Sequence, residues 1–438
     1  MMIHLAIKIT PFRRSVKYRF DAFCEIMIFF PKEKATENRY GNGWNKKHNI
    51  AILREVIMNR KERLLRSVAG STVDRPAVSF YEIDGFSQQV DDPDPFNIFN
   101  DPSWRPLIEL AAAKTDRLVR TPAATCRNGR RLGILPEGLE EVRIEEGDRR
   151  RVRRTAIKVA GGGVLTGTYL TEADVNTTWC TEHPVKNADD LRRWIELPDE
   201  ELSGCPVVKE VLRIEAALGD TGVAMLDIAD PLCCVAQLMP MEEYTVIALT
   251  EPELFTRALE KAARFVLWNT EKVAAALPGR IWRIVGPEYA SPPYLPPAFF
   301  RDYVTRFDRE MCRSILKYGG YPRLHCHGRI GEILDDIVAT GCVALDPVEP
   351  PPQGDVALAT VRAKYGDRLT LFGNLEASDL ENLPEAAFRA KVRQAIAEGT
   401  AGRGRGFVLM PSACPYGRKL PAAALRNYEV MIEEIERL

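Results

Sequence analysis

The sequence predicts an α/β fold, a (β/α)8 TIM-like barrel with an antiparallel β-hairpin insertion before the regular β/α repeats, and three observations lead there. From Gly222 onward, six apolar runs (GVAMLDI, RIWRIVG, YPRLHCH, CVALDPVE, RLTLFGNLE and GFVLMPS) alternate with amphipathic segments such as EPELFTRALEKAARFVLW. Strand then helix, repeated, means a parallel sheet with crossover helices. Six such strands, with more upstream, suit an eight-stranded barrel better than the runner-up, a doubly wound open sheet. A chain of 438 residues at 45% hydrophobic content can fill one large barrel with additions.

The elements follow in order. Residues 1–57 are basic, mix Phe and Ile with Lys and Arg, and resemble neither a signal peptide nor a good helix. They read as an N-terminal extension, disordered or not native, with Met58 as the natural start; a genuine arm or targeting piece is the competing reading. MNRKERLLRSVAG then predicts a helix, with Leu64, Leu65 and Val68 at helical spacing and Gly70 as its cap. RPAVSFYEI is strand-like, and a loop rich in Asp, Pro and Asn leads to a helix near Trp104. Between residues 120 and 180 the alternation in EEVRIEEGDRRRVRRTAIKVAG predicts antiparallel strands with charged faces in water. The basic run Arg149–Arg154 has acidic neighbours, so it reads as a solvated hairpin face rather than a nucleic-acid patch. Gly161–Gly163 reads as a turn, and Asn187 as the N-cap of a helix with Asp189 and Asp190 in its first turn. GRGRGF at Gly402–Phe407 follows a helix and enters a strand, the reverse of a dinucleotide fingerprint. Residues 58–438 thus form the barrel, carrying the insertion at 120–180.

Composition narrows the partners. Lys plus Arg (60) balance Asp plus Glu (61), which leaves no field for steering toward nucleic acid or an anionic membrane. No apolar stretch approaches the roughly 18 residues of a membrane span. The ten cysteines are scattered, so they read as reduced thiols of a cytoplasmic protein.

In such barrels the chemistry collects at the C-terminal ends of the strands. Those ends carry Asp227 and Asp230, Glu288 and Tyr289, His325 and His327, Glu349, Asn374 and Glu376, then Ser412 and Cys414. In a strand, residues two apart share a face, so His325 and His327 project together. Cys414, from another strand end, would complete an N,N,S set of the kind zinc prefers. Glu288, Glu349 and Glu376 are the candidate acids and bases, and Tyr289, Asn374 and Ser412 the candidate substrate-binding residues. Each has a plainer reading: a histidine at a strand end is commonly a hydrogen-bonded core residue, Glu349 can cap the next segment, and Asn374 can satisfy loop backbone.

HCHG at His325, GN at Gly373, SACP at Ser412 and the closing LPAAALRNYEVMIE resemble the uroporphyrinogen decarboxylase superfamily, as do RKERLLRSVAGSTVDRPAVSFY and TEHPVKNADDLRRWIEL nearer the front. The resemblance runs from Met58 to Leu438. It implies a β/α barrel with its cleft at the strand C-termini. The decarboxylases themselves carry an arginine-rich RQAGR-type motif and a late GHG-type segment, and neither is present. The corrinoid-linked methyltransferase branch uses a zinc motif, His-x-Cys with a distant Cys, which here becomes His325, His327 and Cys414, with His replacing the middle Cys. The resemblance therefore implies a zinc-dependent methyltransferase or demethylase acting on a small-molecule methyl donor or acceptor with a corrinoid protein as partner. The alternatives are a decarboxylase of uroporphyrinogen or a related carboxylated substrate, and a corrinoid-binding subunit without turnover.

Overall fold

The computed structural model describes residues 58–438, so the expected extension at 1–57 lies outside the described residues. Eight strands form one parallel, curled sheet: β1 (Ala77–Val78), β2 (Arg117–Pro122), β3 (Gly222–Ala229), β4 (Ile281–Val285), β5 (Tyr321–His325), β6 (Ala344–Asp346), β7 (Thr370–Leu375) and β8 (Phe407–Pro411). From β2 to β8 each strand pairs with its successor, and β8 pairs with β1, an order consistent with a TIM-like barrel. The edge between β1 and β2 is bridged by Asp116. Its N–H donates to Val78 O at 2.8 Å, and its carboxylate accepts from Val78 N at 2.9 Å and from Arg63 at 2.5 Å.

Strand periodicity divides the core. Ala77, Leu118, Val223, Met225, Ile281, Ala344, Phe372, Val408 and Met410 meet Leu64 and Val68 in one buried cluster inside the curl. Their alternates, among them Leu226, Trp282, Leu324, Leu345, Leu371 and Leu409, pack in the larger cluster toward the helices. The helix Arg60–Ala69 therefore supplies two apolar side chains to the barrel interior. Its first turn is capped by the Asn59 side chain accepting from Glu62 N at 2.7 Å, and it ends where Gly70 takes the left-handed conformation at φ 75°.

Two expectations change in detail. Residues 117–122 form a parallel barrel strand, so the expected insertion boundary at 120 falls inside β2. RLVRTP has too few alternating positions to separate it from the antiparallel pattern that follows. In place of the expected β-hairpin, an antiparallel four-stranded sheet spans Glu140–Glu146, Arg150–Lys158, Val164–Glu172 and Thr178–Glu182. Arg151 and Arg154 pair there with Glu146 and Glu145, which leaves the basic run on a mixed-charge face. Asn187 accepts from Asp190 N at 2.9 Å as an N-cap should. Among the described residues no helix is long and apolar enough to cross a membrane, and the described cysteines are free thiols.

Candidate active site

Strand parity that sends apolar residues inward at the base sends polar ones inward at the mouth. Two residues beyond Leu118 stands Arg120; beyond Met225, Asp227; beyond Ile281, Arg283; beyond Ala344, Asp346. On β5, Arg323 and His325 occupy the same face. Register then pairs them. Asp227 lies opposite Arg283 on the neighbouring strand, and their side chains meet at 2.7 and 3.2 Å. His325 lies opposite Asp346, with Nδ1 and Oδ2 2.8 Å apart, while Arg323 Nε stands 2.9 Å from the other carboxylate oxygen. Asp346 is fully buried. Burial opposes its charge, but the Arg323 guanidinium together with His325 and Arg283 outweighs burial and holds the carboxyl down at about 2. Burial keeps His325 neutral, lowering it to about 4 against the pull of Asp346.

Tyr81, just past β1, reaches over this layer. Arg283 Nη1 donates to its hydroxyl at 3.0 Å, and His325 Nε2 lies 3.4 Å from that oxygen. Its backbone sits at φ 59°, a left-handed conformation that bulky side chains rarely adopt and one often found where a residue serves a site. The adjacent Glu82 pairs with Arg120 at 2.8 Å and accepts from Cys414 Sγ at 3.0 Å.

Above this layer sits a second imidazole–carboxylate pair. His327 Nδ1 is 2.8 Å from Glu349 Oε1, and Gly328 N donates to Glu349 Oε2 at 2.7 Å, so both carboxylate oxygens are held. The rings of His325 and His327 stand edge to face with centroids 4.6 Å apart. Burial works against charge on His327, yet Glu349 and, beyond it, Glu288 overcome burial and raise the imidazole to about 9. Glu349 is correspondingly pulled down: burial resists, and the His327 charge prevails. The neighbouring acids go the other way. Burial raises Glu288, and burial with the nearby Glu349 charge lifts Glu376 to about 7. An imidazolium on His327 and the half-protonated carboxyl of Glu376 therefore coexist near neutral pH, an arrangement suited to proton transfer.

The expected residues are not all brought together. His325, His327, Glu288, Glu349 and Glu376 share the mouth. Ser412 Oγ lies 3.5 Å from Glu376 Oε2, and Asn374 is the penultimate residue of β7. Tyr289 belongs instead to the wall, its ring edge-on to Tyr244, whose hydroxyl donates to Tyr289 O at 2.7 Å. The expected N,N,S metal set is not assembled. Among the described residues no three His, Cys, Asp or Glu side chains are arranged to hold a metal ion. Cys414 is turned to Glu82 on the β1 side, while both histidines direct Nδ1 to carboxylates of the β6 side and keep Nε2 for another partner. Tyr81, Glu82, Arg120, Arg283 and Asp346 were not anticipated. The signal that could have found Arg120, Arg283 and Asp346 is the two-residue step along each strand from an inward apolar residue to a charged one.

The model of the family described as Uroporphyrinogen decarboxylase (URO-D) matches residues 172–438. Among solved structures, a methyltransferase from Methanosarcina mazei is similar at 19% identity, over 87% of this chain and 99% of that chain, with a TM-score of 0.55. A structure from Listeria monocytogenes, described as a putative vitamin-B12-independent methionine synthase, is similar at 14% identity over 55% of this chain and 70% of that chain, with a TM-score of 0.34. No curated protein matches the sequence.

Proposed function

Because this chain belongs to the uroporphyrinogen decarboxylase family, we propose that it is an enzyme of the family's methyl-transferring kind, removing a methyl group from a small methoxy or methylamine donor with a corrinoid protein as partner. The observation that carries the reading is the partly buried pair His327–Glu349 at the barrel mouth, closed at 2.8 Å. The fold shared with the Methanosarcina methyltransferase supports the same direction.

A reduced corrinoid, when bound, supplies the nucleophile that takes the methyl group. The chain's own residues serve the departing fragment. As the bond from carbon to oxygen or nitrogen breaks, its electron pair moves to the heteroatom, and His327 gives that atom a proton. Glu349 holds Nδ1, which leaves Nε2 as the nitrogen for the substrate. Glu288 and Glu376 return the proton to the imidazole, and Asn374 and Ser412 line the donor's side.

The test is loss of the methyl group from a panel of methoxyaromatic and methylamine compounds incubated with the protein and a reduced corrinoid, followed by mass spectrometry. Demethylation of one class, lost in Glu349→Gln, is the expected result; no demethylation across the panel overturns the reading. Metal analysis belongs beside it. Stoichiometric zinc that disappears in Cys414→Ala would mean that Cys414 leaves Glu82 to complete a site.

A second reading, decarboxylation of a carboxylated ring, is favoured by the guanidiniums of the buried Arg283 and the partly exposed Arg120 gathered on the Tyr81 ring at 5.8 and 5.9 Å. Formation of coproporphyrinogen from uroporphyrinogen would establish it.

A further inference from the structure

Beside the mouth, between the β7 end and the helix Glu385–Gly399, lies a cavity of about 270 Å³ that the reaction above does not use as a whole. Leu358, Leu375 and Phe388 give it apolar walls. Its charged lining is unbalanced: Glu376, Asp379 and Glu398 face a single cation, Lys391, whose Nζ is already 2.6 Å from Asp379. Glu398 is also engaged, accepting from Ala359 N at 3.1 Å and from Gln394 Nε2 at 2.7 Å.

Glu376 differs from the other two. It is only 6% exposed, and its Oε1 finds no hydrogen-bond partner among the described residues, while Oε2 has only the 3.5 Å contact with Ser412 Oγ. A buried carboxyl oxygen left without a donor is costly, and such atoms are normally satisfied by protein, water or ligand. Here the unsatisfied oxygen belongs to the wall of an acid-rich space that also has apolar walls. We propose that this cavity binds a small organic ammonium ion, its cationic head on Glu376 and its hydrocarbon body against Leu358, Leu375 and Phe388.

The chemistry excludes close alternatives. A carboxylate ligand would place like charge beside three acids, and a neutral alcohol would satisfy Oε1 without answering the excess negative charge. The inference shares Glu376 with the proton return proposed above, but it concerns occupancy and is read without turnover, so its failure leaves that reading standing.

The test uses the full chain and three probes of matched size: n-butylammonium, 1-butanol and butyrate, titrated by ligand-observed NMR. The expected result is saturable n-butylammonium binding, at least tenfold tighter than either control, weakened at least tenfold in Glu376→Gln. Lys391→Ala removes the competing cation from Asp379 at a half-exposed position and should tighten n-butylammonium binding severalfold, which keeps the test decisive if Glu376→Gln does not fold. Butyrate binding as tightly as n-butylammonium, no saturable binding of the ammonium, or unchanged affinity in both variants would each overturn the proposal.

Discussion

At the scale of single residues, the two histidines of HCH each hold a carboxylate on Nδ1, Asp346 for His325 and Glu349 for His327, yet their charges differ because their surroundings do. Asp346 is already committed to Arg323, so burial dominates His325; Glu349 faces His327 with only a backbone N–H on its second oxygen. Replacing Glu349 with Gln keeps the shape and removes the charge. Demethylation should fall by about a hundredfold or more, the usual worth of a positioned acid or base, with the fold retained by circular dichroism. The same pair marks the pH dependence of stability. His327 rises from its ordinary 6.5 to about 9 on folding, so the folded state holds the extra proton. Its stabilisation is complete below about pH 6.5 and disappears as pH climbs through 9, a change of about 3 kcal/mol. Urea unfolding of the wild type and His327→Gln at pH 6 and pH 9.5 checks this: the difference between them should shrink by that amount at the higher pH. A difference independent of pH would place the proton elsewhere.

At the scale of elements, short segments after each strand aim the mouth residues. Gly286, directly after β4, has φ 128°, and a Cβ there would lie 2.1 Å from Asp230 Oδ1 and 2.4 Å from Cys233 Cβ. The close approach lets Gly286 N donate to Glu288 Oε2 at 3.1 Å, which brings Glu288 to the His327 side of the mouth. Gly286→Ala combines a disfavoured backbone with two overlaps, and should cost about 2 kcal/mol or more. Thermal unfolding measures it; a melting temperature equal to that of the wild type would show that the β4 loop can shift freely.

At the scale of the whole molecule, the sheet has one edge with no strand ladder, between β1 and β2, and a single buried carboxylate spans it. Asp116 takes Arg63 from the first helix, Arg75 and the backbone of Val78 together. Arg63→Met leaves that carboxylate short of its main cation, and loss of one partner of a buried pair costs about 3–5 kcal/mol. Hydrogen exchange should show β1 and β2 losing protection before β4 to β7. Uniform loss across all strands would mean that the seam is no weaker than the rest.

Much of this architecture was legible one segment at a time, because its signals are local. Apolar runs and amphipathic spacing marked strands β3 to β8 and the helices between them, and Gly70 and Asn187 act within one turn of where they stand. The strand-end rule also located His327, Glu349 and Glu376, since it needs only the end of each strand. What the sequence could not decide was which of those ends meet. Cys414 lies close to Glu82, 332 positions away, and not in a set with the two histidines; Arg283 and Asp227 are 56 apart and in contact. Those pairings depend on register and on how the sheet curls, and both are settled only when the inward side chains of all eight strands compete for the same interior.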